Sequence, residues 1–240
     1  MLQENLFEHL YIPRSDIMSA TNNFSMEYCL GHVGYTYFYR AELEHFDQEK
    51  FSSIEVKNKS ELLKKRSTVF IKHLCEVDEE ERKLLFNEIE MITTCKHPNI
   101  VALLGLCIED FEMILVFENH HELFYKYLSS KDKFIPTWSK RLRICLDVAN
   151  GLKYLHYEKE DQKMILHRNI CSFAIVLDEK FKATVSNFRH SVFLQPNVND
   201  QYDWPLFEIN TYYLDPDYFK TGVTTKDWHM WPENASTMEH

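Results

Sequence analysis

Four residues of this chain have the types that phosphate chemistry uses: two glycines, a lysine and a glutamate. Gly31 and Gly34 stand in the segment GHVGYT, where glycines let backbone N–H groups approach a phosphate without side-chain obstruction. Lys72 lies in an apolar run typical of a strand, and Glu88 lies in a segment with helical spacing. A strand and a helix could bring these opposite charges together, although taken alone the two residues are equally typical of a protein surface.

Two tripeptides further along the chain carry asparagine where a charge would do chemistry. Residues 167–169 read His-Arg-Asn, and residues 187–189 read Asn-Phe-Arg. The amide of Asn169 has no proton-accepting ability near neutral pH, so it cannot serve as a general base. The amide of Asn187 has no formal charge, and hard divalent cations prefer carboxylate oxygens.

Composition excludes several classes of function. The chain has 240 residues with 45% hydrophobic and 14% aromatic content, which is enough for a packed core in one large domain or two lobes. The net charge is −10, with 27 basic against 37 acidic residues, which argues against nucleic acid as a partner. We see no apolar run long enough for a membrane helix and no signal peptide. The six cysteines form no CxxC pair, so we expect free thiols in a reducing compartment.

Hydrophobic periodicity predicts the elements that must position these residues. A strand-rich first part with one helix precedes a helix-led second part with short strands, which indicates an α+β fold with two lobes and a hinge near residues 118–120. The predicted strands are two within residues 28–41, then 69–74, 100–107, 113–117, 175–177 and 183–185. The predicted helices are 15–21, 78–95 and 137–157, and Thr137 is expected to cap the last of them. We also predict a long loop at 42–66 and a polar segment without a pattern after Val192.

Several motifs in this order resemble those of plant receptor-like serine/threonine protein kinases. Residues 17–24 (IMSATNNF) are similar to the segment before the kinase domain in that family. Residues 97–101 (HPNIV) resemble the segment after its αC helix, and residues 213–218 (YLDPDY) the segment before its αF helix. The two tripeptides match its H-R-D and D-F-G motifs with both aspartates replaced. The resemblance covers roughly residues 12–226 and implies a bilobal protein-kinase-like fold.

The resemblance implies that part of the family's architecture is kept. Lys72 matches the strand lysine that holds the α- and β-phosphates, and Glu88 matches the αC glutamate that pairs with it. His167 matches the residue that braces the catalytic loop. Arg168 matches the arginine that can pair with a phosphate on the activation segment.

The nucleotide-binding positions depart from the family pattern. Gly31 is kept, but Val33 and Thr36 occupy the second and third glycine positions, with Gly34 helping to form a turn. Phe38 and Phe70 stand where the family has valine and alanine in the roof over the adenine. We expect these rings to fill the pocket partly or wholly; the alternative is that each ring turns into ordinary core and the pocket survives.

The catalytic positions depart further. Asn169 replaces the general base, and Cys171 replaces the lysine that supports the γ-phosphate. Ala174 and Asn187 replace the two Mg²⁺ ligands, so that one oxygen ligand is lost and the other is neutral. We therefore do not expect Mg²⁺ to bind well or phosphoryl transfer to proceed at physiological rates.

These observations predict a catalytically inactive pseudokinase that acts in signalling through protein–protein contacts. One alternative is a divergent, weakly active serine/threonine kinase that binds ATP through Lys72; another is a truncated product with no independent function. The expected partners are signalling kinases or receptors. The expected location is the cytoplasm, where partners could hold the protein at the inner face of the plasma membrane.

The resemblance also suggests a division of the chain. Residues 1–24 form a juxtamembrane-like lead-in, 25–117 a kinase-like N-lobe, 118–226 a partial kinase-like C-lobe and 227–240 a tail that does not match. The tail has no helical stripe, and Pro232 would interrupt one. The chain is therefore expected to stop before the αF helix, which would leave the apolar stripe of the helix at 137–157 partly exposed as a partner-binding surface.

Overall fold

The computed structural model describes residues 4–46, 64–109, 111–118, 122–129, 136–157 and 164–194, and it confirms the α+β class. The chain divides into two compact units. The first contains Met1–Phe86 and Val101–His121, and the second contains Asn87–Ile100 and Glu122–His240. The tail at 227–240 and the motif at 213–218 lie outside the described residues.

The first unit is built on a five-stranded antiparallel sheet. Its strands are β1 Cys29–Val33, β2 Thr36–Phe46, β3 Lys64–Leu74, β4 Leu103–Glu109 and β5 Glu112–Glu118, and they lie in the order β1-β2-β3-β5-β4. Strands β4 and β5 are near-continuous apolar runs that are buried along most of their length, which is typical of strands covered on both faces.

The predicted loop at 42–66 is wrong at both ends. Strand β2 continues to Phe46, and β3 already begins at Lys64, with Phe46 opposite Lys64 in the ladder. Most side chains there are charged and exposed, although Leu43 and His45 are buried, so the alternation of apolar residues is weak in the sequence. Cross-strand pairing contributes at these ends: Lys64 Nζ lies 3.1 Å from Glu44 Oε2. Residues 47–63 lie outside the described residues.

The lead-in contributes to the core of the first unit. After a 3₁₀ helix at Glu4–Leu10, helix α1 (Arg14–Ala20) packs beside β2 and buries Ile17 completely. Ile12 approaches Gly105 so closely that a Cβ there would collide with its Cδ1 atom. One face of the sheet is thereby covered, and its core consists of Ile12, Ile17, Tyr39, Ala41, Leu43, Val69, Ile71, Leu104, Cys107, Ile114 and Val116.

Helix α2 (Glu79–Thr93) confirms the predicted helix at 78–95. Asp78 caps it: the backbone N–H of Glu81 donates to Asp78 Oδ1 at 2.8 Å. The acids Glu79, Glu80 and Glu81 occupy the first turn, where the helix dipole favours negative charge.

The second unit combines two helices with short strands. Strand β6 pairs with β8 and β8 with β9, while β7 pairs with β10. The strand at Val192–Leu194 corrects the prediction of an unpatterned segment after Val192; it is defined by its pairing with Met164–Leu166, which lies distant in the chain. The bounds are β6 Glu122–Leu123, α3 Phe124–Ser129, α4 Trp138–Tyr157, β7 Met164–Leu166, β8 Ile175–Leu177, β9 Ala183–Val185 and β10 Val192–Leu194.

Helix α4 confirms the predicted helix and its cap. The backbone N–H of Lys140 donates to Thr137 Oγ1 at 3.5 Å, a long capping hydrogen bond. The apolar positions divide between two faces rather than forming one stripe. Ile144, Val148, Gly151 and Leu155 are buried against the side of β7 and β9. Trp138, Leu142 and Leu146 are exposed, as is Cys145, which agrees with the expectation of a partly exposed helix.

The residues of the HPNIV segment fix α4 to the strands. Asn99 Nδ2 donates to the carbonyl oxygen of Ala183 at 2.9 Å, and the N–H of Val185 donates to the carbonyl of Asn99 at 2.9 Å. Gly151 faces this junction, since a Cβ there would lie 2.9 Å from the Asn99 carbonyl oxygen. The glycine therefore permits the close approach of the helix.

The six cysteines are free, as predicted; Cys107 and Cys171 are buried. Within the described part of the chain, we find no helix with the length and apolar character that a membrane crossing requires.

Candidate nucleotide-binding and catalytic site

The glycine segment forms the tight turn that its sequence indicates. Strands β1 and β2 pair from Gly31 opposite Phe38 to Val33 opposite Thr36, which leaves Gly34 and Tyr35 at the tip. Gly34 has φ +55°, a left-handed conformation that glycine adopts without strain, and space around it is open. A hairpin is therefore retained, although Val33 and Thr36 replace two of the glycines that the family uses against phosphate.

Phe38 and Phe70 lie together on one face of the sheet. Phe38 is opposite Lys72 in the ladder between β2 and β3, so Phe70 is its diagonal neighbour. The two rings stack with centroids 5.6 Å apart and planes at 25°. Phe70 is buried and Phe38 half-buried. The stack occupies the positions that the resemblance assigns to the adenine roof.

Lys72 and Glu88 are both withdrawn from solvent, at 9% and 1% exposure. Lys72 extends from β3 on the same face as the phenyl stack, and Glu88 stands on α2. The two residues belong to different compact units, so their pairing stays a prediction.

His167 braces the loop that follows β7. The ring is fully buried, and its Nε2–H donates to the carbonyl oxygen of Ser186 at 2.9 Å. Its Nδ1 accepts the backbone N–H of Asn169 at 3.3 Å, and Phe188 packs edge-on with centroids 4.7 Å apart. Burial lowers the pKa of His167 to about 4, so the ring is neutral at physiological pH. The predicted bracing role is therefore consistent with the geometry.

Ser186 ties the two loops to each other. Its N–H donates to the carbonyl of Ala174 at 2.8 Å, its Oγ donates to the same oxygen at 3.1 Å, and its own carbonyl accepts His167. Sequence reasoning did not single out Ser186 because its role is carried by backbone groups. Cys171 is buried within this loop, and burial raises the pKa of its thiol.

Unusual backbone geometry occurs at one replaced aspartate position, Asn187, and at Arg168, the residue before the other. Asn187 has φ 65° and ψ 58°, and Arg168 has φ 66°, both in the left-handed region. Asparagine tolerates this region better than most residues. Arg168 is buried at 5% exposure, whereas Asn169 and Asn187 are half-exposed.

Asn87 is a positioning residue that the sequence did not indicate. From α2, its Nδ2 donates to the carbonyl oxygens of Arg189 and Ser191, each at 2.9 Å. Ser191 Oγ in turn donates to the carbonyl of His167 at 3.2 Å. The 3₁₀ turn at Phe188–His190 is therefore held from both sides. No short motif encodes a contact between residues so distant in the chain.

The side chains at the catalytic positions offer a poor donor set for Mg²⁺. Ala174 is buried and has no side-chain oxygen, and Asn187 supplies only a neutral amide. Mg²⁺ normally requires one or two carboxylates besides phosphate and water. The residues present therefore do not fit the metal that the family uses.

The comparison with protein families matches the model described as protein tyrosine and serine/threonine kinase over residues 41–231. Similar proteins from Arabidopsis thaliana include Wall-associated receptor kinase-like 3, 32% identical over 88% of this chain and 26% of its own length. Receptor-like protein kinase HERK 1 is 31% identical over 89% of this chain and 23% of its length. The chain thus spans about a quarter of the length of these curated relatives. The chain belongs to the protein tyrosine and serine/threonine kinase family, and its sequence is similar to receptor-like kinases of Arabidopsis thaliana.

Proposed function

We propose that this chain is a pseudokinase that acts through protein contacts. The observation that carries the proposal is a contrast within the two loops that His167 and Ser186 join. His167, Ser186 and Ala174 are joined by short hydrogen bonds in a braced scaffold. The reactive positions of that scaffold hold Asn169, which cannot take a proton, and Ala174, which cannot hold a metal.

Loss of the base alone would leave a slow enzyme, since positioned acid–base groups contribute roughly 10²–10⁴-fold. Here the metal ligands and the phosphate-supporting lysine are replaced as well, by Ala174, Asn187 and Cys171. Phosphoryl transfer depends almost entirely on positioning and charge neutralisation by these groups. Their joint replacement supports the absence of catalysis more strongly than any single substitution.

The phenyl stack supports a second element of the proposal, which is weak or absent nucleotide binding. Phe38 and Phe70 contact each other where the family has a valine and an alanine. A purine bound against this face of the sheet would have to fit beside two phenyl rings in place of a valine and an alanine side chain.

Helix α4 supports action through protein contacts. Trp138, Leu142 and Leu146 are 74%, 53% and 61% exposed and recur at four-residue steps along one side of the helix. An apolar row of this kind is typical of an interaction surface. The names of the relatives describe receptor kinases. We therefore propose signalling kinases or receptors as partners, in the cytoplasm at the inner face of the plasma membrane.

The alternative function is a divergent kinase that still binds ATP. The burial of Lys72 and Glu88 favours it, because buried charges are kept only where they are paired or used. In the pseudokinase interpretation the same two residues are a structural ion pair.

A thermal-shift experiment separates these functions. The full chain is heated with ATP at millimolar concentration, with and without Mg²⁺, beside the kinase domain of an active kinase as positive control. We expect no shift for this chain. A shift that depends on Mg²⁺, together with transfer of labelled γ-phosphate, would establish the alternative, and the absence of any cooperative transition would indicate a product with no independent fold.

A further inference from the structure

Three side chains with metal-binding atoms converge at one edge of the first unit. His73 stands near the end of β3, Cys75 follows that strand, and Glu112 begins β5. One ligand atom from each lies within 4.8 Å of the other two. His73 Nε2 is 3.3 Å from Glu112 Oε2 and 3.7 Å from Cys75 Sγ. The cluster therefore combines nitrogen, sulfur and oxygen donors.

These distances agree with those of a tetrahedral zinc centre. Zinc binds sulfur at about 2.3 Å and nitrogen or oxygen at about 2.0–2.1 Å. With tetrahedral angles, those bond lengths separate nitrogen from sulfur by about 3.6 Å and nitrogen from oxygen by about 3.3–3.4 Å. The two edges from His73 Nε2 are 3.7 Å and 3.3 Å, so both agree with the separations expected between zinc ligands.

The backbone around the cluster is fixed. His73 pairs with Ile114 and Leu74 with Met113 in the ladder between β3 and β5. The N–H of Cys75 donates to the carbonyl oxygen of Tyr35 at 3.0 Å. The His73 ring is buried and packs against Phe24 with centroids 4.3 Å apart. Because His73 and Lys72 are consecutive strand residues, the cluster lies on the opposite face of the sheet from the phenyl stack.

The protonation states of His73 and Cys75, and the position of Arg14 beside Glu112, are compatible with a metal site. Burial lowers the pKa of His73, which leaves a neutral imidazole able to bind a cation. Burial also raises the pKa of Cys75, so a metal would have to displace its proton. Arg14 Nη2 lies 2.8 Å from Glu112 Oε2 and orients that carboxylate, while its positive charge opposes a second cation.

We propose that His73 Nε2, Cys75 Sγ and a carboxylate oxygen of Glu112 form a binding site for a zinc-class divalent cation. Three protein ligands leave the fourth tetrahedral position to water. The donor set favours zinc over magnesium, because thiolate and imidazole are softer than the oxygens that magnesium prefers. The bound ion would clip the end of β3 to the start of β5, apart from the positions matched to kinase catalysis.

The first test uses the full chain, freed of metal by a chelator, with Zn²⁺ alone as the titrant. We expect calorimetry to give one site per chain and the melting temperature to rise on zinc addition. Cys75→Ser should weaken binding by at least about tenfold, the loss that even an outer-shell change can cause. The matched control is Cys145→Ser, because Cys145 is exposed on α4 in the other unit. Equal zinc affinity for Cys75→Ser and the unsubstituted chain would overturn the site.

Two further measurements do not depend on the fold of that variant. Co²⁺ bound to the unsubstituted chain should give a thiolate-to-metal absorption band, and Zn²⁺ should protect Cys75 from alkylation in peptide mass spectra. Alkylation of Cys75 at the same rate with and without zinc would exclude the thiolate as a ligand.

Discussion

The rings of Phe38 and Phe70 stack across β2 and β3 with centroids 5.6 Å apart, on the face of the sheet that carries Lys72. Valine and alanine at these positions would leave room that the two rings now occupy. The stack would therefore account for the proposed loss of nucleotide binding without any change in the backbone of the sheet.

Replacing both rings should restore a nucleotide response. We expect Phe38→Val with Phe70→Ala to show a melting-temperature rise with ATP that the unsubstituted chain lacks, because the smaller side chains leave room for the purine. The change will itself destabilise the fold, since Phe→Ala in a core costs about 3–5 kcal/mol. Each protein is therefore compared with itself, with and without ATP.

The control for this experiment is Phe111→Ala, because Phe111 is 75% exposed near the turn between β4 and β5. It should leave the ATP response unchanged. An ATP-dependent shift already present in the unsubstituted chain would contradict the role that we assign to the stack.

Restoring the two acids alone should not restore catalysis. We expect Asn169→Asp with Asn187→Asp to transfer no γ-phosphate above background, because Ala174 still offers no side-chain oxygen and Cys171 is buried. The measurement is labelled phosphate transfer to a generic protein substrate, with an active kinase domain as control. Measurable transfer by the double variant would mean that nucleotide still enters despite the phenyl stack.

The buried His167 should make the fold sensitive to mild acid. Its folded-state pKa is about 4 against an ordinary value of 6.5, so the unfolded chain gains a proton first as the pH falls through that window. Stability is then lost between about pH 6.5 and 4, by about 2 kcal/mol from pH 7 to pH 5. Urea unfolding at the two pH values measures this loss.

A pair of variants isolates the contribution of His167. His167→Gln should reduce the difference between pH 7 and pH 5, whereas His32→Gln, at an exposed histidine, should retain it. His73 contributes in the same direction because its pKa is also lowered by burial, and it is unchanged in both variants. An undiminished pH dependence in His167→Gln would refute the assignment.

Gly151 should resist the substitution that helix propensity favours. Alanine is better than glycine within a helix by about 1 kcal/mol. A Cβ at this position would lie 2.9 Å from the Asn99 carbonyl oxygen and 3.2 Å from Val185 Cγ2. We expect Gly151→Ala to lower the free energy of unfolding by about 1–3 kcal/mol, the usual range for overpacking.

The control lies two residues earlier on the same helix. Ala149 is exposed, so Ala149→Gly should show only the propensity effect, a loss of about 1 kcal/mol. Thermal unfolding of both variants gives the comparison. A gain of stability in Gly151→Ala would show that the helix can move away from the HPNIV segment.

The local sequence pattern was sufficient to predict elements that have a clear pattern of their own. The strands at Ile175–Leu177 and Ala183–Val185 were predicted with the bounds that the structure shows, and Thr137 was predicted as the helix cap. Pattern failed where a partner distant in the chain supplies the stability. The charged ends of β2 and β3 pair with each other, and Val192–Leu194 pairs with β7.

The same distinction holds at the candidate site. Residue types at 169, 171, 174 and 187 could be read directly, because chemistry follows from the side chain alone. The brace through Ser186 and the bridge from Asn87 could not, because they use backbone carbonyls that any residue would present. His73, Cys75 and Glu112 were missed because their spacing fits no metal-binding motif.

Asn187 adopts a left-handed backbone conformation, and the shape of the loop at this position does not depend on the charge of the side chain. Aspartate and asparagine share a tolerance for this conformation, so one can replace the other without redirecting the chain. The path of the main chain at this turn is therefore compatible with either residue. The formal charge at the turn, in contrast, depends on one atom, the oxygen or nitrogen that ends the side chain.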